Sequence, residues 1–238
     1  MDRRKFLASA GAVAASVAAG GARAAIGAND KIGLAAIGVR NMGWNDLSSA
    51  MATKGARLVA IADVDKNILE KRGAEAAKKF GAEGARVYTD YRELLADPEV
   101  ETVHVCTPNR SHSFITVDAL DAGKHVICEK PMAINSVEAK KMLDAAKRNN
   151  RVLTIGYQSR QRDDSLYMKK EAEEGTFGDI YYANAIAIRR RAVPTWGVFL
   201  DEYEQGGGPL IDIGTHALDL TLWIMDNYKP KYLSLIHI

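Results

Sequence analysis

The sequence predicts an α/β protein: a doubly wound parallel sheet, followed by the start of a second α/β unit. Three observations carry the prediction. Short apolar runs alternate with helical stretches from Lys31 to Ile155, the pattern of parallel strands joined by crossover helices. A glycine turn, Gly38 to Gly43, follows the first run and opens the first helix, as glycines do where a chain must pass close to a bound phosphate. After Gly156 the rhythm changes to longer elements.

Taken in order, Lys31–Ile37 reads as the first strand and Trp44–Lys54 as the first helix, by its apolar spacing. Leu58–Ala62 is the second strand and ends at Asp63. Lys66–Phe80, rich in Ala, Lys and Glu, is a helix. Val87–Tyr88 is a short strand, and Tyr91–Ala96 a short helix stopped before Pro98. Thr102–Cys106 is the fourth strand, Thr107–His112 a loop, and Phe114–Ala122 a helix closed by Gly123. Val126–Cys128 and Val152–Ile155 are strands that flank a helix over Ser136–Asn149. Beyond them come a helix over Ser165–Glu174, a long strand pattern over Asp179–Ile188 and a helix over Leu210–Met225.

Composition excludes several classes. The chain has 238 residues, 47% hydrophobic and 26% charged, with a formal charge of +2, ordinary for a globular protein. Residues 1–24 read as an export signal. Asp2-Arg3-Arg4-Lys5-Phe6-Leu7 resembles the twin-arginine consensus, the run Ala8–Ala19 is weakly apolar, and Ala22-Arg23-Ala24 fits a cleavage site. That run is too short and alanine-rich to be a membrane span. Removing the signal's four basic residues and one acid leaves 28 basic against 29 acidic residues. No basic footprint for nucleic acid remains. The expected partner is the twin-arginine export machinery and the expected location periplasmic or otherwise extracytoplasmic. That route carries folded proteins and suits a chain that binds its cofactor before export. The two cysteines, Cys106 and Cys128, each end an apolar run. They read as thiols at neighbouring strand ends, with a disulfide as the alternative. No metal-ligand spacing of Cys or His is present, so no metal is expected. His104 and His125 fall in strand patterns and read as core or edge residues.

The turn reads Gly38-x-Arg40-x-x-Gly43, with arginine where a dinucleotide fingerprint usually has its middle glycine. Asp63, 25 residues after Gly38 at the end of the second strand, stands where an acid bonds ribose hydroxyls. Gly38, Arg40, Asn41, Met42 and Gly43 are therefore candidates to hold a pyrophosphate at the helix amino terminus. Arg40 either contacts a phosphate or points to solvent. Thr107, Pro108, Asn109 and His112 open on the same sheet edge. Asn109 and His112 are candidates for a nicotinamide ribose, and His112 reads equally as a plain helix-start residue.

Lys124-His-Val-Ile-Cys-Glu-Lys-Pro131 places Glu129 and Lys130 at a strand's carboxyl end, where open α/β sheets bind ligands. Pro131 forces the chain to turn there, through a cis or a trans bond. A lysine at such a turn can meet a cofactor and a substrate hydroxyl together; the plainer reading is a surface lysine. Asp212 and His216 stand four apart, on one face of a helix. An aspartate beside an imidazole fixes its orientation and prepares it for acid–base work, although such a pair is also common as structure.

Together the Gly38–Gly43 turn, Asp63-Val-Asp65, Cys106-Thr-Pro-Asn109 with His112, Ala122–Pro131 and Gly207-Gly-Pro-Leu-Ile-Asp212-Ile-Gly-Thr-His216 resemble the Gfo/Idh/MocA family of oxidoreductases. The likeness runs from about Lys31 to Pro230, and its Glu-Lys-Pro and Asp-x-x-x-His elements are its specific parts. The resemblance implies a Rossmann domain over 31–157 and a carboxy-terminal α/β domain with an open mixed sheet over 158–232, incomplete here. It implies NAD, with NADP as the alternative, and hydride transfer to or from a sugar, cyclitol or related carbinol. Lys130, Asp212 and His216 match the family's catalytic residues. His216, oriented by Asp212, would take the hydroxyl proton while Lys130 stabilises the alkoxide and hydride passes to the nicotinamide. A homo-oligomer is expected of the full-length form. Two alternatives remain: an NAD-dependent glycosidase working by transient oxidation and elimination, and a nucleotide-binding sensor without chemistry. Leu233–Ile238 reads as a translated sequencing-adapter tail, so His237 is given no role. The chain is expected to be a fragment.

Overall fold

The computed structural model describes residues 31–53, 55–188, 190 and 193–234. The expected export signal, and residues 235–238 of the expected tail, lie outside them. Six parallel strands form one sheet: β1 (Ile32–Ile37), β2 (Ala56–Ala62), β3 (Arg86–Tyr88), β4 (Thr102–Val105), β5 (His125–Cys128) and β6 (Leu153–Ile155). Their spatial order is β3-β2-β1-β4-β5-β6, the Rossmann order, whose direction reverses between β1 and β4. In register, Ile37 pairs with Ala62 on one side and Val105 on the other, and Val105 pairs with Cys128. The strands therefore end together, and Gly38, Asp63, Cys106 and Glu129 line up just past one edge.

The sheet is covered on both faces. Alternation along β1 sends Leu34 and Ala36 to one face, against Trp44 and Leu47 of helix α1 (Asn41–Met51) and Leu69 and Ala76 of α2 (Lys66–Phe80). Ala35 and Ile37 face the other side. There they join Ile115 and Leu120 of α4 (Asn109–Asp121) and Met142 and Ala145 of α5 (Ser136–Arg148). A short helix, α3 (Tyr91–Leu95), precedes β4. Asp65, whose carboxylate accepts the Asn67 and Ile68 N–H groups, starts α2, and Gly81, at φ 62°, ends it.

Two helix starts at the sheet edge differ from the sequence expectation, and two later ones differ as well, at Asp163 rather than Ser165 and at Thr215 rather than Leu210. α1 begins at Asn41 rather than Trp44, because Arg40 takes the extended cap conformation and the turn closes within Gly38–Arg40. α4 begins at Asn109 rather than Phe114, so most of the expected loop is helix. Pro108, at φ −56°, occupies the cap position, where a missing N–H is harmless. Past β6 come a 3-10 turn (Gln158–Gln161), α6 (Asp163–Glu173), α7 (Glu202–Gln205), a π-helical turn (Leu210–Gly214) and α8 (Thr215–Met225). The strand expected over Asp179–Ile188 does not form. The segment has strand-forming residues, but among the described residues no strand pairs with it, and Tyr181, Tyr182, Ile186 and Ile188 are exposed. An unpaired strand leaves its backbone groups without partners. The mixed sheet expected of the second unit is likewise absent among the described residues. Within that span no helix is long and apolar enough to cross a membrane.

Candidate active site

The glycine turn is built for close approach. Gly38 has φ +83°, and a Cβ there would stand 2.6 Å from the Cys106 carbonyl oxygen. A Cβ on Gly43 would stand 1.9 Å from the Gly38 carbonyl oxygen, so α1 packs on the turn only because this residue is glycine. No side chain caps α1, which leaves the first-turn N–H groups of Asn41, Met42 and Gly43 open to an anion. A cavity of about 580 Å³ adjoins this turn, lined by Gly38, Arg40, Asp63, Thr107 and Pro108, with Tyr91 and Phe114 among its aromatic walls. These features fit a dinucleotide: a phosphate cradle at a helix terminus, a carboxylate at the next strand end, and apolar walls.

Asp63 does more than face the cavity. Its carboxylate accepts the Val39 N–H at 3.0 Å and the Asp65 N–H at 3.0 Å, so it also pins the turn from behind. The exposed guanidinium of Arg40 pairs with Asp65. The sequence reading noted Asp65 within Asp63-Val-Asp65 but gave it no role. Its signal was a carboxylate immediately before a helix, which marks a cap.

The loop candidates divide. Thr107 accepts a hydrogen bond from the Ser111 hydroxyl at 2.8 Å. Asn109, expected at a ribose, donates to the Gln205 carbonyl at 3.0 Å, while the neighbouring Arg110 donates to the Tyr203 carbonyl at 2.6 Å and stacks on that ring. The start of α4 thus fastens α7 to the sheet edge. His112 is 1% exposed. Its Nδ1 faces the Pro131 carbonyl at 2.7 Å and its Nε2 the Thr107 carbonyl at 2.9 Å. Helical placement turns it inward, where it braces two loops. Burial draws its pKa down, opposed by the two carbonyls. A neutral ring has one N–H and cannot donate to both.

Lys130 sits past β5, where the Lys130–Pro131 peptide is cis. Its Nζ donates to Asp212 Oδ1 at 2.8 Å and to the Asp212 carbonyl at 3.2 Å. Residues 82 apart in sequence are thereby joined at the sheet edge. Asp212 lies in the π turn that precedes α8; such turns are frequent at functional sites. Asp212, expected to orient His216, makes no hydrogen bond to it among the described residues, although its charge acts to raise the His216 pKa. The π turn changes the helical phase between the two positions, and the Asp212 carboxylate is engaged by Lys130 instead. His216 is half-buried, and its Nδ1 has no hydrogen-bond partner. Burial and then the Lys130 ammonium lower its pKa below the usual 6.5, against the opposing charges of Asp212 and Asp219. A neutral imidazole can accept a proton. A second cavity, of about 420 Å³, reaches Asp212 and includes Asn109, Gln205, Gly207, Phe199 and Ile211.

Glu129 accepts the Lys130 backbone N–H at 3.1 Å. Burial first, and the charge of Asp46 second, push its carboxyl up to about 7. Cys106 and Cys128 are both free thiols. One further group was not anticipated: Asp46 of α1 approaches His104 and Cys106 on the α1 face of the sheet. The signal in sequence was His104-x-Cys106 at a strand end, which puts both side chains on one face.

Comparison with known proteins agrees with this architecture. Residues 32–157 match the Gfo/Idh/MocA family described as oxidoreductase family, NAD-binding Rossmann fold, and residues 165–232 match the Gfo/Idh/MocA C-terminal domain. D-glucoside 3-dehydrogenase of Escherichia coli is 41% identical over 149 residues, 63% of this chain and 42% of that protein. Myo-inositol 2-dehydrogenase of Thermotoga maritima is 32% identical over 189 residues, 79% of this chain and 53% of that protein. A levoglucosan dehydrogenase solved with NADH and levoglucosan superposes with a TM-score of 0.65 at 30% identity, covering 82% of this chain and 54% of that one. The chain spans about half, or less, of the length of these relatives.

Proposed function

This chain belongs to the Gfo/Idh/MocA family of oxidoreductases, and we propose that it serves NAD-dependent oxidation or reduction of a sugar, cyclitol or related carbinol. The observation that carries the reading is the junction of Lys130 with Asp212 at the carboxyl edge of the sheet, beside a neutral His216. The names of similar proteins, a glucoside dehydrogenase, an inositol dehydrogenase and a levoglucosan dehydrogenase, support the substrate class.

In this reading the open N–H groups of Asn41, Met42 and Gly43 hold the pyrophosphate, and Asp63 bonds the adenosine ribose. Lys130 and Asp212 fix the substrate hydroxyl. His216 takes the hydroxyl proton on its neutral ring, and the Lys130 ammonium stabilises the alkoxide. When bound, the nicotinamide cofactor accepts the hydride. NAD is favoured over NADP. Asp63 and Asp65 carry negative charge at the ribose end, and Arg40, a cation that could meet a 2′-phosphate, is already paired with Asp65. The Arg3-Arg4 signal supports export by the twin-arginine route to an extracytoplasmic compartment, with the cofactor loaded beforehand. Assembly as a homo-oligomer belongs to the same reading.

The test is to titrate the protein with NAD and NADP by fluorescence and then to offer glucosides, anhydrosugars and inositols with NAD while following nicotinamide absorbance. Tighter NAD binding and reduction with one substrate group are expected. Tighter NADP binding refutes the cofactor assignment. Binding without reduction by any member refutes the oxidoreductase and favours a sensor. Release of a nitrophenyl sugar without net reduction favours the glycosidase.

A further inference from the structure

We propose that Asp46, His104 and Cys106 form a zinc-binding site between α1 and β4. The inference does not depend on the oxidoreductase reading. His104 and Cys106 are two apart at the end of β4, so their side chains leave the same face of the sheet. Asp46 reaches them from α1. Its Oδ2 is 3.3 Å from Cys106 Sγ and 4.0 Å from His104 Nε2. One ligand atom from each of the three lies within 4.8 Å of the other two.

Two further observations make this more than proximity. His104 is 6% exposed, yet its Nδ1 has no hydrogen-bond partner, and its Nε2, turned toward Asp46, stands beyond hydrogen-bond reach. The nitrogen that faces Asp46, Nε2, is engaged by no hydrogen bond among the described residues and is the one placed to take a metal. Asp46 forms no ion pair with a lysine or arginine among the described residues. A carboxylate, an imidazole and a thiol thus converge where no side-chain cation is paired with the carboxylate.

The donor set selects the ion. One nitrogen, one sulfur and one oxygen suit Zn²⁺, whereas magnesium and calcium take oxygen ligands. Oxygen and nitrogen donors in a tetrahedral zinc site lie about 3.3 Å apart, so the Asp46–His104 separation of 4.0 Å must close by about 0.7 Å, and no two of the three ligand atoms start more than 4.8 Å apart. The fourth position falls to water. Binding releases the Cys106 thiol proton to solvent, and the thiolate takes up the metal bond. The ion would tie the helix that presents its amino terminus to the dinucleotide cavity directly to β4.

The experiment strips the full chain with a chelator, reloads it with Zn²⁺ or Co²⁺, and desalts it before metal analysis and absorption spectroscopy. One zinc per chain is expected. The cobalt form should show a thiolate charge-transfer band in the near ultraviolet that zinc displaces. Cys106→Ser should abolish the band, and Cys128→Ser should keep it. Asp46→Asn should weaken zinc binding by at least about tenfold, since even supporting residues around zinc sites are worth that much. The proposal is overturned if the wild-type chain retains no zinc or its cobalt form lacks the thiolate band. It is equally overturned if Cys106→Ser binds as tightly as wild type. Should a variant fail to fold, the wild-type cobalt spectrum and the Cys128→Ser control still decide it.

Discussion

Replacing Glu129 by glutamine separates a charge effect from a packing effect at the sheet edge. In the fold, burial and Asp46 hold the Glu129 carboxyl neutral up to about 7, against an ordinary value of 4.5. The sign follows from linkage. Below the ordinary value both folded and unfolded chains are protonated, and the contribution is fully present. As pH rises from about 4.5 to about 7 the unfolded chain ionises first, so stability is lost across that window and levels off above it. At about 1.36 kcal/mol per pKa unit, the shift sets a ceiling of roughly 3.4 kcal/mol. The group is partly exposed, and solvent screening reduces this to about 1–2 kcal/mol. Glutamine keeps the oxygen that accepts the Lys130 N–H and cannot ionise. In chelator-treated protein, urea unfolding at pH 8 should therefore find Glu129→Gln more stable than wild type by about 1–2 kcal/mol, with unchanged m. The two should converge toward pH 4.5. A difference that does not vary with pH, or a wild type that gains on the variant between pH 5 and 8, refutes the reasoning.

The other predictions concern the candidate site. Lys130→Ala should lower kcat by about two orders of magnitude or more while cofactor affinity, read by fluorescence, stays within a few-fold; activity near wild type removes the lysine from the mechanism. The rate of the wild-type protein should rise with pH through the depressed pKa of His216 and be level above 6.5. Asp212 holds that pKa up, so Asp212→Asn should move the rising limb to lower pH, and a shift to higher pH contradicts the assignment of base. Gly43→Ala places a methyl where the Gly38 carbonyl stands and should cost about 3 kcal/mol in urea unfolding, with loss of cofactor binding; near-neutral behaviour shows that α1 can withdraw.

Much of the frame was legible because its signals are local. Most of the strands are short runs rich in apolar residues that end at a turn, and the helices between them carry a 3.6-residue period. Asp63 and Lys130 were legible for the same reason, since both sit at strand ends. What escaped depends on contacts distant in sequence. Asp212 pairs with Lys130, 82 residues away, and not with its helical neighbour, because a π turn alters the phase that an α-helix would give. Arg40 is drawn to Asp65, and Asn109 to Gln205, by neighbours that spacing cannot supply. Of the two readings of His112, ribose contact or plain helix-start residue, the structure shows a residue in the first turn of a helix. One turn of helix, begun at Pro108, carried it into the interior.

That interior histidine has an effect on how the rim behaves before any ligand arrives. His112 touches the carbonyls of Thr107 and Pro131, which belong to the segments after β4 and β5. Ordering a residue's backbone removes about 1–2 kcal/mol of conformational freedom at room temperature. A rim of independent loops would lose that freedom on binding, and affinity would fall accordingly. Here one imidazole braces both segments from behind, so the loss is incurred once, in folding. Thr107, Pro108 and Lys130 are thereby held as parts of a single stiff ledge.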